Sequence, residues 1–220
     1  MNLLLNNINN IFMVDVNEIL DEINFVRNSP IKYIEYLTEL LNYFKNNNIL
    51  LYPYTKIGIQ TKEGKEAVNE AIDFLSIQSD FPTVEMNKYL NKIAEKYIEK
   101  IKYMDVNDID KEDLENEINQ YGEYSGYFGR SIEFGGENAK QVIVNLIVCD
   151  GDEDRSQRES LFNETIKYVG IATSKHIIYG NCTVILYTTK FKPNKIFKKE
   201  GKKKVKKEEK KEENENENEE

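Results

Sequence analysis

The chain has 220 residues, 40% of them hydrophobic, with a formal net charge of -9 and one histidine, His176. That length holds one domain of ordinary size with extended ends, and the acidic balance disfavours nucleic acid as a partner, because counterion release needs clustered Lys and Arg. A single imidazole excludes an intrachain zinc site with two His ligands, and any Ser-His-Asp or Cys-His arrangement must use His176 as its base.

Residues 1–13 alternate Asn with Leu, Ile and Phe and read as a flexible N-terminal segment or a short docking strand. Met1 to Asn7 has no basic stretch, and Asn interrupts its apolar run, so it makes a poor signal peptide. No stretch approaches the ~18 apolar residues of a spanning helix. A soluble, cytoplasmic monomer is expected, extracellular only if a signal sequence precedes the residues given.

A helical period starts near Asp15, with Val16, Ile19, Leu20, Ile23 and Val26 on one side and Asp15 or Asn17 as N-cap. It stops before Pro30, which forces the preceding residue out of the α region. Ser29-Pro30 then supplies N-cap and first turn of a second helix, with Ile31, Ile34, Leu37, Leu41 and Phe44 as its inward stripe. Asn46 to Asn48 breaks it, and an irregular apolar link leads to a third helix over Lys62 to Gln78, with Ala67, Ala71, Phe74 and Leu75 inward. Phe81-Pro82 makes a turn. A fourth helix covers Asn87 to Tyr103, with Leu90, Ile93, Ala94, Tyr97 and Ile101 on one face. Asp105 to Glu117 reads as a short helix or loop; its acids Asp108, Asp110 and Asp113 lack the central Gly and closing Glu of a calcium loop.

From Tyr121 the texture changes. Gly122, Gly126, Gly129, Gly135 and Gly136 crowd one region, as in turns flanking a strand. Glu137-Asn138 starts a helix whose apolar body is Gln141 to Val148. Val169 to Thr173 and Thr183 to Thr189 have strand composition. Helices first and strands later, without βαβ alternation, define an α+β domain over residues 14–197. The two cysteines, Cys149 and Cys182, could form one bridge, but free thiols are favoured, because they are too few for a disulfide framework. Residues 198–220 hold nine Lys and nine Glu, a neutral charged tail that cannot bury apolar surface and is expected to be disordered.

One stretch carries a family resemblance. It runs Gly129-Arg130-Ser131-Ile132, then Phe134-Gly135, the apolar helix Val142 to Val148, Cys149-Asp150-Gly151, and Arg155-Ser156-Gln157-Arg158. This order resembles, without a gap, the CAP superfamily of bacterial and protist type: Gly-Glu-Asn-Ile, an aromatic-Gly pair, an apolar helix, Asp-Asp-Gly and Arg-Gly-His-Arg. Gly136-Glu137-Asn138 also spells the turn motif, but using it shortens the following segment by seven residues and spoils the register. Arg27 to Pro30 resembles the family's Arg-x-x-Pro turn. Leu90 to Ala94 is similar to the helix that delivers a His three residues later, and Tyr168 to Ile171 and Cys182 to Val184 resemble the closing strands, with His176 and Tyr179 between them. The resemblance spans Val16 to Phe191 and implies a three-layer α-β-α sandwich with a small, mainly antiparallel sheet.

The resemblance also implies a cleft with two His and two acids that in many members binds a divalent metal. Here Tyr97 stands at the upstream His, Arg130 at the turn Glu and Gln157 at the motif His, leaving one acid, Asp150 or Asp152. A divalent ion ~4 Å from a guanidinium is opposed by roughly 8 kcal/mol at an effective dielectric of ~20, and Arg does not shed its proton. No metal and no cofactor are therefore expected. Arg130 either pairs with Asp150 or Asp152 or offers a fork to a carboxylate or phosphate. Tyr97 is core or cleft wall, Gln157 fills the His volume with hydrogen bonds, and Arg155 and Arg158 tie their loop to acids such as Asp152 to Asp154. His176 is expected on a surface or partly buried loop. The resulting expectation is a non-catalytic binding module for a protein or a small apolar, lipid-like or anionic ligand. The alternatives are a hydrolase with rearranged residues and a scaffold acting through the tail.

Overall fold

The computed structural model describes residues 13–53, 56–109, 111–195 and 197, without the side chains of 111–113. The N-terminal segment before Met13, the Lys/Glu tail and the side chains of Asp110 and Asp113 lie outside them. The first two helices are α1 (Val16–Asn28) and α2 (Pro30–Leu41). Asp15 caps α1 by accepting from the Asn17 and Glu18 N–H groups, and Pro30 sits in the first turn of α2. The inward face of α2 differs from the expected stripe. Pro30, Tyr33, Leu37 and Leu40 are buried, while Ile31 is 53% exposed. Lys32, Glu35, Thr38 and Glu39 share one side of the helix, and Ile31 falls beside them, so the buried face centres on Tyr33, Leu37 and Leu40. Tyr33 packs beside Phe25 of α1 and edge-on to Tyr36 of its own helix at 4.9 Å.

A two-stranded hairpin, β1 (Ile49–Leu50) with β2 (Ile59–Gln60), interrupts the link expected to be irregular. Helix α3 (Lys65–Ser76) begins three residues later than its apolar pattern allows, because Gly64 takes a left-handed φ of 65°. Strand β3 (Glu85–Met86) leads into α4 (Lys88–Ile101), capped by Asn87. A 3-10 turn (Val106–Asp108) and α5 (Lys111–Tyr121) follow. The glycine-rich stretch is mostly one strand, β4 (Gly122–Phe134), with a bulge between Ser125 and Phe128 where Gly126 adopts φ 79°. A Cβ there would sit 2.8 Å from that of Thr189, so the bulge uses Gly both for its backbone and for its lack of a side chain. Helices α6 (Ala139–Val148) and α7 (Ser156–Leu161) precede the long hairpin of β5 (Tyr168–His176) and β6 (Gly180–Pro193).

The fold is α+β. Among the described residues there are seven α-helices, the small hairpin and a mixed four-stranded sheet of order β3-β5-β6-β4. Within that sheet the β3–β5 pair is parallel and the other two pairs are antiparallel. Alternation along β6 serves two cores. Val184 and Leu186 pack with Leu90, Ile93, Ala94 and Ile98 of α4, whereas Ile185 and Tyr187 pack with residues of α1, α2, α3 and α6. Helices thus cover both faces, and β4 forms one outer edge of the sheet.

Arg27 joins α1 to two loops from inside the first core. It is fully buried; its Nε donates to the Pro82 carbonyl (3.1 Å) and its Nη1 to the carbonyls of Leu161 (2.7 Å) and Asn163 (3.1 Å). Burial lowers its pKa to about 10, still far above neutrality. Arg27→Ala leaves three carbonyl acceptors, one of them buried, without their donor. A loss on the order of 3 kcal/mol is expected, read as a lower urea midpoint with an unchanged m-value.

Candidate functional site

A cleft with a cavity volume of about 840 Å³ runs along the outer edge of β4. Phe128, Arg130 and Ile132 form its floor, and Asp150, Asp152 and Gln157 lie on the wall made by α7 and the turn before it. The pairing of β4 with β6 sets which backbone groups face the cleft. The Gly135 N–H points to β6, where the Asn181 carbonyl accepts it at 2.9 Å. The Ile132 N–H points the other way, to Gln157 Oε1 at 3.0 Å. Since the pattern alternates in an antiparallel pair, the N–H and C=O groups of Phe128, Arg130, Ile132 and Phe134 face away from β6.

Arg130 is half-buried in the cleft, and its Nη1 donates to the Tyr97 hydroxyl at 2.8 Å. Among the described residues no carboxylate pairs with it. The expected bridge to Asp150 or Asp152 is therefore absent. Tyr97 is only 1% exposed, a core residue of α4 that steadies Arg130 from behind rather than a wall of the cleft.

The acids are committed elsewhere. Cys149, with a left-handed φ of 51°, and Gly151 flank Asp150 in a tight turn after α6. This turn carries the Asp150 carboxylate to the start of α3, where it accepts from the backbone N–H groups of Lys62 (2.7 Å), Glu63 (2.8 Å) and Gly64 (2.9 Å). Glu63 answers by accepting from the Gly151 N–H at 2.6 Å. Asp152 accepts from Ser156, through its N–H and its hydroxyl, at the start of α7. Of these, the Gly64 and Ser156 N–H groups sit at helix entries, where the backbone leaves them without partners.

Arg155 and Arg158 bind acids of α3 and the loop before it, not the Asp152 to Asp154 side chains. Arg155 reaches both oxygens of Glu63 and both of Glu70. Arg158, 2% exposed, donates to the α6 carbonyls of Ile147 and Val148 and to Glu70 at 3.0 Å. The Arg155 hydrogen bonds hold Glu63 down to about 2, and lower Glu70 too. His176 is also corrected: it is 3% exposed at the end of β5, stacked on Tyr179 at 4.9 Å and edge-on to Phe134, and its Nδ1 accepts from the Ile178 and Tyr179 N–H groups. Cys149 and Cys182 are free and buried, and burial pushes the thiols up to about 11 and about 12. Among the described residues no three His, Cys, Asp or Glu side chains converge as metal ligands would.

The sequence reading missed Glu133. On β4, facing away from Arg130, it is 5% exposed against α6. Its Oε1 accepts from the Gly136 N–H (3.0 Å) and the Asn145 amide (2.8 Å), while Oε2 is buried with no partner among the described residues. Burial pushes this carboxyl up to about 7 against those two donors. Tyr52 and Cys182 are titratable groups that feel its charge, and neither is a cation. The signal was present in the sequence: a lone acid between Ile132 and Phe134, in a strand with one face toward the core.

No protein-family model and no curated protein matches the chain. Among solved structures, an outer surface protein from Borrelia burgdorferi is similar to it at 16% identity and a TM-score of 0.36, over 52% of this chain and 80% of that one.

Glu133 predicts a pH dependence of stability. Its folded pKa lies above its unfolded one, so its contribution is fully present below about pH 4.5 and is lost as pH rises through about 7. The shift corresponds to roughly 3 kcal/mol. Urea unfolding at pH 5 and pH 8 should show a fall in the parent chain that Glu133→Gln largely removes. An equal fall in both proteins would show that Glu133 is not its source.

Proposed function

We propose that this chain is a non-catalytic, CAP-like binding module, a three-layer α-β-α sandwich whose cleft receives an anionic group at Arg130. One observation carries this reading. Arg130 is half-buried in the cleft, hydrogen-bonded to a phenol, and without a carboxylate partner among the described residues, although the exposed Glu159 of α7 also lines the cleft. The nearby acids do not offset it through contact, because Asp150 and Asp152 are occupied by backbone N–H groups. A guanidinium in this state presents a planar fork suited to a carboxylate or phosphate.

The positions at which the resembled family carries metal ligands do not suit a metal here. Tyr97, Arg130 and Gln157 supply a phenol engaged by a guanidinium, that cation itself, and an amide oxygen engaged by the Ile132 N–H. The reading includes no hydrolytic step. The lone imidazole is packed under Tyr179 and Phe134 with Nδ1 engaged, and both thiols are buried and raised.

Titrating succinate, inorganic phosphate and laurate while following the Arg130 side-chain NMR signal tests the anion site. At least one is expected to shift that signal, and to bind about tenfold more weakly to Arg130→Gln. If none perturbs Arg130, the reading is overturned. Separately, calorimetry with zinc is expected to show no micromolar site in the unmodified chain. Such a site would refute the loss of metal binding.

A further inference from the structure

The open edge of β4 and the half-buried Arg130 lie in one cleft, and together they specify an occupant more closely than either does alone. Four successive outward residues, Phe128, Arg130, Ile132 and Phe134, present N–H and C=O groups on the side away from β6, and among the described residues no strand pairs there. Exposed sheet edges of this length are usually blunted or covered, because they template pairing with another chain. Here the side chain of Gln157 covers one point, its amide oxygen taking the Ile132 N–H as the carbonyl of an added strand would. The 840 Å³ of the cleft lie beside this edge. The opposite wall, made by α7 and the Asp150 turn, leaves a trough beside the edge rather than an open flank on which a second folded sheet could align.

We propose that the cleft takes an extended polypeptide segment, which adds as a strand to the Phe128–Phe134 edge of β4 and sets an acidic side chain opposite Arg130. This rests on the binding-module reading above and names the partner of that same cleft. The register follows from the parity of the ladder. Arg130 directs both its backbone groups outward, so in antiparallel pairing the residue opposite it exchanges two hydrogen bonds with it and carries its side chain on the same face. Directly opposed side chains are the pairs that matter in a sheet, and opposite charges there are favourable while like charges are not. Phe128 and Ile132 flank Arg130 on that face and would meet apolar side chains two residues either side of the acid. The predicted partner therefore carries apolar, acidic and apolar residues at alternate positions, so that main-chain hydrogen bonds supply affinity and alternate side chains supply selectivity.

The test uses the full chain and a random library of linear peptides of about eight residues, long enough to span Phe128 to Phe134 at ~3.4 Å per residue. Selected peptides are expected to fix Asp or Glu at one position. Binding should slow hydrogen exchange at the Phe128, Arg130 and Phe134 amides, and N-methylation of the peptide residue that pairs with Arg130 should abolish it. Arg130→Glu should weaken the acidic peptide about tenfold and restore binding when the peptide acid is changed to Lys. Arg130→Gln, which can keep the Tyr97 contact, guards against a folding defect as the cause. Peptides that bind and shift Arg130 without slowing exchange at the β4 amides would overturn strand addition while leaving the anion site standing. A selection with no binder overturns it too, and the anion site falls only if succinate, phosphate and laurate also fail. Slow exchange at the same amides in a concentration-dependent dimer, without peptide, would assign the edge to a second copy and overturn the peptide as occupant.

Discussion

The interaction on which the cleft depends is the clamp between the end of α6 and the beginning of α3. A helix C-terminus leaves carbonyls unsatisfied and a helix N-terminus leaves N–H groups unsatisfied. Here the turn after α6 and the helix that follows it answer both. Arg158 of α7 donates to the carbonyls of Ile147 and Val148, and Asp150 accepts from the N–H of Gly64, the N-cap of α3, and from those of Lys62 and Glu63 just before it. Arg155, Glu63 and Glu70 then bind the two halves together, two cations against two acids. Because the charges balance and nearly every guanidinium N–H has an acceptor, the buried Arg158 does not carry the cost of an isolated ion. The low pKa of Glu63 fixes where the clamp fails. Its contribution is present above the ordinary carboxylate range and is lost only as pH falls toward about 2. The Glu63 contribution to this wall is therefore intact near neutrality.

Glu133 shows the opposite electrostatic solution within the same domain. Glu63 is held ionised by a guanidinium, whereas Glu133 has only an amide and one N–H to offset burial and moves toward the neutral acid. Gly136 belongs to the same arrangement, since a Cβ there would lie 2.9 Å from Oε2. The two faces of β4 thus differ in kind. One carries a buried carboxyl that tends to lose its charge, and the other carries Arg130, a cation that retains it.

What was legible in the sequence followed from local rules. Asp15 was one of two N-caps read from residue type, Asn87 and Asn138 lie where helix starts were read, and Pro30 set the break between α1 and α2. The middles of β5 and β6 followed from β-branched composition, though both strands run longer than read. Local rules gave out where contacts at long sequence separation decide the outcome. Helix α3 starts late because of Gly64 and an acid, Asp150, that is distant in sequence. Arg155 chose Glu63 and Glu70 over the nearer acids because the left-handed backbone at Arg155 turns its side chain back toward α3. The residue types at the site were legible, but their partners were not, since pairing is a property of the packed turn.

Gln157 and Arg130 have different physical consequences for the cleft. The neutral amide oxygen of Gln157 accepts the Ile132 N–H at any pH. Gln157 thus secures one edge hydrogen bond and leaves the charge of the site fixed. Arg130 does the reverse and adds charge without adding a protein carboxylate to meet it. Tyr97 can steady a guanidinium by accepting one hydrogen bond, but as a neutral phenol in the α4 core it cannot neutralise it. A half-buried cation with one satisfied donor retains most of its demand for acceptors, and the nearest backbone able to align with it is whatever lies along the outer edge of β4. The charge and the open edge are therefore linked requirements, best met by a ligand that brings both a carboxylate and a main chain.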